Sequence, residues 1–118
     1  MQPPLFLKYG SRITSGLAEQ MYDRVLVDPD LAHFFVHVDT DILRDHVADF
    51  LSVVTGGPDI YRGRDIRKAH SDYKITKFHF DRLLTHIAAA ADDLGIEPQD
   101  SAIILQKIRE AEADIVNT

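Results

Sequence analysis

Asp41–Thr55, DILRDHVADFLSVVT, is the stretch that decides the fold. Leu43, Val47, Phe50 and Val54 recur at helical spacing and form its central apolar stripe. Leu51 lies on one flank of that stripe and His46, one turn after Leu43, on the other. Asp39 or Thr40 can cap the start, and Gly56-Gly57-Pro58 is an emphatic stop. Nothing in the stretch alternates with period two, so it predicts a helix over 41–55.

Working downstream, GGPDIYRGRDIRKAHSDY (Gly56–Tyr73) is turn-rich as far as Gly63. A short helical run, Asp65–Ala69, then delivers His70, with Asp65 as a possible N-cap. Arg62, Arg64, Arg67 and Lys68 cluster just before that histidine. They form either a solvated face or a rim of cations for a ligand's carboxylates. Thr76 caps a long helix to Leu94, with Phe80, Leu83, Leu84, Ile87, Ala91 and Leu94 inward and Gly95 as its stop. Pro98 opens the last helix, in which Ile104, Ile108, Ala111 and Ile115 repeat at helical spacing.

Upstream, Pro3-Pro4 marks Met1–Gly10 as an irregular or barely helical lead-in. Ser11–Leu26 reads as a helix capped by Ser11 or Thr14, with Leu17, Met21, Val25 and Tyr22 on one face. Asp28-Pro29-Asp30 ends it, and Leu31–Phe35 makes a short helical turn bearing Phe34 and Phe35. No segment shows strand periodicity, so the fold class is all-α.

The chain's 118 residues make one domain, 1–118, with 45% hydrophobic and 27% charged residues, an ordinary globular balance. A net charge of −6 and the lack of a basic stripe argue against nucleic-acid binding. The absence of cysteine excludes disulfides, iron–sulfur clusters, zinc–thiolate sites and C-x-x-C-H haem attachment. No apolar run approaches the ~20 residues that span a bilayer, and Met1–Ser11 lacks a signal-peptide core. The expectation is a soluble, cytoplasmic monomer.

His33 and His37 stand at a metal-ligand spacing, but no third ligand accompanies them, and exposed polar residues beside two buried phenylalanines is the better reading. No G-x-S-x-G, H-E-x-x-H or phosphate-cradling glycine loop is present. His46 and His70 matter more. One stands beside the apolar stripe of a long helix, the other on a short helix after a loop. The loop is long enough for the two segments to face each other across a flat apolar group, with Leu43, Val47, Phe50 and Phe35 beside them. An apolar slot entered by an imidazole is what haem iron uses.

Four stretches carry a family resemblance in order and spacing: QMYDRVLVDPDLAHFF (Gln20–Phe35), VDTDILRDHVADFL (Val38–Leu51), GGPDIYRGRDIRKAH (Gly56–His70) and ITKFHFDRLLTHI (Ile75–Ile87). The chain resembles the truncated haemoglobins of the first group, short globins of two-over-two helical arrangement and cyanobacterial type. The resemblance implies haem b (iron protoporphyrin IX) as cofactor, with His70 as the proximal iron ligand and Tyr22 as the distal hydroxyl donor to bound dioxygen. Phe35 matches the phenylalanine against the haem plane, and Phe50 an aromatic of the distal cavity. Leu43 takes the first distal position of the long helix. His46 stands where some relatives supply a second iron ligand, so it joins Tyr22 as ligand-binding and His70 as metal-binding. Phe35, Leu43, Val47, Phe50, Arg67 and Tyr73 make up the cofactor-binding set. Gly56-Gly57 matches the glycine pair closing that helix, and His79-Phe80 the pair opening the next.

The chain also departs from the pattern. Near the amino terminus Gly10-Ser11 replaces a glycine pair, and Val47 stands where relatives often carry glutamine. The last helix has no histidine after His86 for a covalent haem link. The resemblance implies reversible binding of O2, NO and CO, with oxygen transport or NO detoxification as roles. The chain is an enzyme only in so far as nitric oxide dioxygenation is supported by an external reductase. The alternatives are a bis-histidine haem redox or gas sensor, an electron-transfer protein, or a cofactor-free helical module.

Overall fold

Two caps set the limits of the helices around which the fold is built. In the computed structural model, which describes residues 4–56 and 74–116, α3 runs Thr40–Val54. Asp39 starts it by accepting from the backbone N–H groups of Asp41 (3.0 Å) and Ile42 (3.3 Å). It stops at Gly56, whose φ of +87° suits only glycine without strain. The short α1, Leu5–Tyr9, covers that end. Phe6 N–H donates to the Thr55 carbonyl at 2.9 Å, and a Cβ on Gly56 would come within 2.8 Å of Pro4 Cβ.

The second cap opens α4, Lys77–Asp93. Thr76 accepts from the His79 backbone N–H while the His79 side chain accepts from the Thr76 N–H, a capping box. Gly95, at φ +76°, turns the chain out of α4. Pro98 then occupies the first turn of α5, Pro98–Arg109. Periodicity continued this last helix through Ile115, but Ala111 interrupts it. Glu112–Ile115 is a separate turn, α6.

The second helix starts later than its sequence suggests. Gly10–Arg12 is a 3₁₀ turn, and α2 spans Ser15–Val25. Ser11 lies in that turn, and the Thr14 hydroxyl donates back to the Ser11 carbonyl (3.4 Å) instead of accepting from α2. Leu17, Met21, Tyr22 and Val25 are buried along one face, as their spacing requires. A 3₁₀ turn, Ala32–Phe35, follows.

α2 packs on both α3 and α4, α4 packs on α5, and α3 touches α5. Ile13, Leu17, Val25, Phe80 and Ile104 are the largest fully buried side chains of the core. Each such residue contributes roughly 1.5–3 kcal/mol by leaving water. Among the described residues there is no strand, and no helix is long and apolar enough to cross a membrane.

Two buried carboxylates tie distant segments to this core. Asp100, on α5, accepts from Lys8 Nζ (2.7 Å) and from the Tyr9 hydroxyl (2.5 Å), fastening α1. Those two donors, Lys8 first, hold the Asp100 carboxyl below its usual range. Asp28, in the turn after α2, meets His86 Nε2 at 2.6 Å and pairs with Arg82, both on α4. Its Oδ1 also accepts from Asp30 N–H (2.9 Å). Burial pushes the Asp28 carboxyl up, but His86, Arg82 and the Asp30 amide outweigh it and bring it down to about 2.

Candidate functional site

The central stripe of α3 is not packed shut. Leu43, Val47, Phe50 and Val54 are only half-buried, whereas the flanking Leu51 is the residue fully inside the core. The stripe instead walls a cavity of about 620 Å³. That size falls within the ~300–1,000 Å³ of small-molecule and cofactor sites.

Leu43, Val47 and Phe50 form the α3 wall. Leu17, Met21, Tyr22 and Val25 of α2 form the next, continued by Leu31, Phe34 and Phe35. Phe80, Leu83 and Ile87 of α4 line it as well, as do Ile108 and Ile115. Most of this lining cannot hydrogen-bond, so it favours an occupant with apolar faces.

A few polar groups interrupt the apolar lining. Tyr22 is 4% exposed, and its ring meets Phe35 edge-on, with centroids 5.5 Å apart at 87°. A phenolic hydroxyl in so apolar a wall makes a stronger hydrogen bond than it would in water. His46, His37 and Asp39 also line the cavity but are largely exposed, which makes them its rim. His79 lines it at the start of α4.

Tyr22, Phe35, Leu43, His46, Val47 and Phe50 therefore border one space, although 28 positions separate the first from the last. His70, Arg67 and Tyr73 lie outside the described residues, as does the cluster of Arg62, Arg64 and Lys68. Phe34 and Phe35, between His33 and His37, are half-buried and not fully buried. The 3₁₀ turn ends at Phe35, breaking the helical register between the two histidines, and no group of three potential ligands occurs among the described residues.

Sequence reasoning passed over several lining residues. Ile75, Ile108 and Ile115 are ordinary apolar positions whose approach to the cavity depends on tertiary packing. His79 carried a readable signal: it stands three residues after the capping threonine, the capping-box position.

These walls fit a haem. The cavity offers apolar side chains from several elements, a buried tyrosine, and exposed polar groups in His37, Asp39 and His46. A flat macrocycle with apolar faces and two carboxylates on one edge matches that distribution. A helical protein with such a pocket falls in the globin class.

Comparison with known proteins agrees: residues 7–117 match the model of the bacterial-like globins, and the chain belongs to that family. A group 1 truncated haemoglobin of a Synechocystis species is 35% identical over 101 residues, covering 81% of each chain. One from Tetrahymena thermophila is 30% identical over 99 residues, 83% of this chain and 82% of that one. Among solved structures, the Fe(III) truncated haemoglobin of Tetrahymena pyriformis superposes with a TM-score of 0.89 at 25% identity. It is matched over 98% of this chain and 100% of its own. The same figures hold for a 2/2 haemoglobin from a Synechococcus species, solved in the cyanomet state with covalently attached haem. The fold is thus the two-over-two truncated globin sandwich.

Proposed function

We propose that this chain binds haem b and, through it, reversibly binds dioxygen, nitric oxide and carbon monoxide. The observation that carries the reading is the apolar cavity shared by Tyr22, Phe35, Leu43, Val47 and Phe50, in a chain of the bacterial-like globin family. When bound, the haem would supply the iron centre at which a diatomic gas binds.

The chain's own side chains do the rest. His70 would supply the imidazole that ligates the iron, and Arg67 and Tyr73 would be further cofactor contacts. Phe35, Leu43, Val47 and Phe50 would exclude water from the ring and so protect the iron from oxidation. Tyr22, buried in the cavity wall, would donate a hydrogen bond from its hydroxyl to a diatomic ligand held there. That hydrogen bond is worth ~1.5–3 kcal/mol where the acceptor carries partial charge, slowing ligand loss roughly ten- to a hundredfold. Leu43 and Val47 carry no donor, and Tyr22 would supply one from the α2 side.

A second reading, bis-histidine ligation in a redox or gas sensor or an electron-transfer protein, draws support from His46 at the cavity rim. Its imidazole competes with external ligand, and the apparent ligand affinity falls by the fraction of protein in the open form. NO dioxygenation would need electrons from a separate reductase.

The role of His70 is tested by haemin binding to His70→Ala. The variant is expected to keep its helix content and lose most stoichiometric haem, or to bind it with altered axial-ligand signals. Unchanged haem content and unchanged signals would move the proximal role to another residue.

A further inference from the structure

His79 performs one half of the α4 capping box, a task that glutamate or glutamine usually fills. Its Nδ1 accepts from the Thr76 backbone N–H at 3.1 Å and lies 3.2 Å from the Thr76 hydroxyl. That hydroxyl oxygen in turn accepts from the His79 backbone N–H at 3.3 Å. A ring nitrogen that accepts carries no proton, so the neutral imidazole must carry its proton on Nε2. The cap therefore fixes the tautomer.

The cap also fixes the direction of the ring. One edge of the imidazole faces the backbone of Thr76, which leaves the edge bearing Nε2 to face away from it. His79 lines the cavity, and among the described residues Nε2 has no hydrogen-bond partner. Phe34 holds the ring edge-on at 4.9 Å, with Phe78 at 5.7 Å and His33 at 5.9 Å. A glutamate would cap α4 as well as this ring does, but it would bring a second acceptor and no donor. The histidine adds an oriented N–H at the cavity wall.

The surroundings say what that N–H meets. Phe78 and His33, whose rings lie beside His79, are both exposed and His79 itself is only half-buried, so this part of the cavity wall reaches water. His37 and Asp39, also exposed, line the same cavity. Asp39 is the one acidic lining residue among those described, and its Oδ1 already accepts from the α3 N-terminus. The positive end of α4, 17 residues long, lies here too and favours an anion. The peripheral acceptors of a haem are its carboxylates, and they are the groups it presents to water.

We propose that His79 is a haem-binding residue whose Nε2–H donates a hydrogen bond to one haem carboxylate while its Nδ1 is held by the α4 cap. This rests on the haem reading above and adds to it a residue and the group that residue recognises.

The test pairs haemin with haemin dimethyl ester, in which both carboxylates are masked, and titrates each into wild type and His79→Glu. The variant keeps the acceptor half of the cap and so should keep the thermal midpoint of the wild type. Its haemin dissociation constant should rise roughly ten- to a hundredfold, the effect of losing one charge-assisted hydrogen bond. The ester should bind both proteins alike. Nitrogen-15 spectra of the wild-type apoprotein, above the ordinary imidazole titration range, should show the His79 proton on Nε2. That measurement decides the tautomer even if the variant does not fold. Equal haemin affinity in the two proteins, an equal loss with the ester, or a proton on Nδ1 would overturn the proposal. A wild type that takes up no haemin at all would overturn the haem reading itself, and this proposal with it.

Discussion

Replacing Tyr22 by phenylalanine removes one hydroxyl and almost no volume. Tyr22 is 4% exposed, and the side of its ring meets Phe35 at 5.5 Å, a contact that phenylalanine keeps. The core should therefore hold, and the change should be confined to hydrogen bonding. A charge-assisted hydrogen bond contributes ~1.5–3 kcal/mol, so breaking it speeds the escape of its acceptor by roughly ten- to a hundredfold. Bound dioxygen carries partial negative charge and bound carbon monoxide carries far less. The oxygen off-rate of Tyr22→Phe should rise by that factor, while the carbon monoxide off-rate moves little. Stopped-flow displacement of each ligand from the ferrous, haem-loaded protein measures both. Oxygen dissociation as slow as in wild type would refute the assignment. An equal acceleration for both gases would point to altered packing instead of a lost donor.

The other predictions concern the rim and the fold. His46→Leu should convert low-spin ferric and ferrous bands to high-spin ones, if the imidazole closes on iron in the resting protein. A high-spin wild type unaltered by the substitution would leave His46 as a rim residue only. Ile104, 1% exposed, should cost ~2–5 kcal/mol on truncation to alanine, read from urea unfolding; a loss well under 1 kcal/mol would show that the core between α4 and α5 is looser than described. The Asp28 carboxyl is held at about 2, below its ordinary unfolded value near ~3.9. Folding thus favours the ionised form, and its stabilisation is present above pH ~4 and lost as pH falls toward 2. The unfolding midpoint of wild type should fall across that window and that of Asp28→Asn should fall less, Asp81 and Asp100 keeping part of the slope. Identical slopes would remove Asp28 from the acid response.

Much of this architecture was legible because its signals are local. Asp39, Thr76, Gly56 and Gly95 mark helix ends by chemistry contained within a few residues, and α3 and α4 begin and end within one residue of their sequence limits. The α2 start was harder. Ser11 and Thr14 are both good caps on paper, and only the Gly10–Arg12 turn decides that neither caps it by side chain. Periodicity alone could not reveal the break before α6, because Ile115 stays in register across it. The stripe of α3 was legible as apolar but not as the wall of a cavity. That distinction depends on what stands opposite, as does the pairing of Asp28 with His86, 58 positions away. His46 was visible as a flank residue, and its exposure at the rim follows from where α3 sits against α2.

The central claim is that the α3 stripe and the other cavity walls hold a haem that binds gas. It is tested most directly by titrating haemin into the purified protein, reducing it, and recording its visible spectrum under argon, dioxygen and carbon monoxide. Saturation at one haem per chain, a sharp Soret band, and distinct dioxygen and carbon monoxide spectra that revert under argon are expected. Weak, unsaturable haemin uptake, or a Soret band that no gas shifts, would contradict the claim.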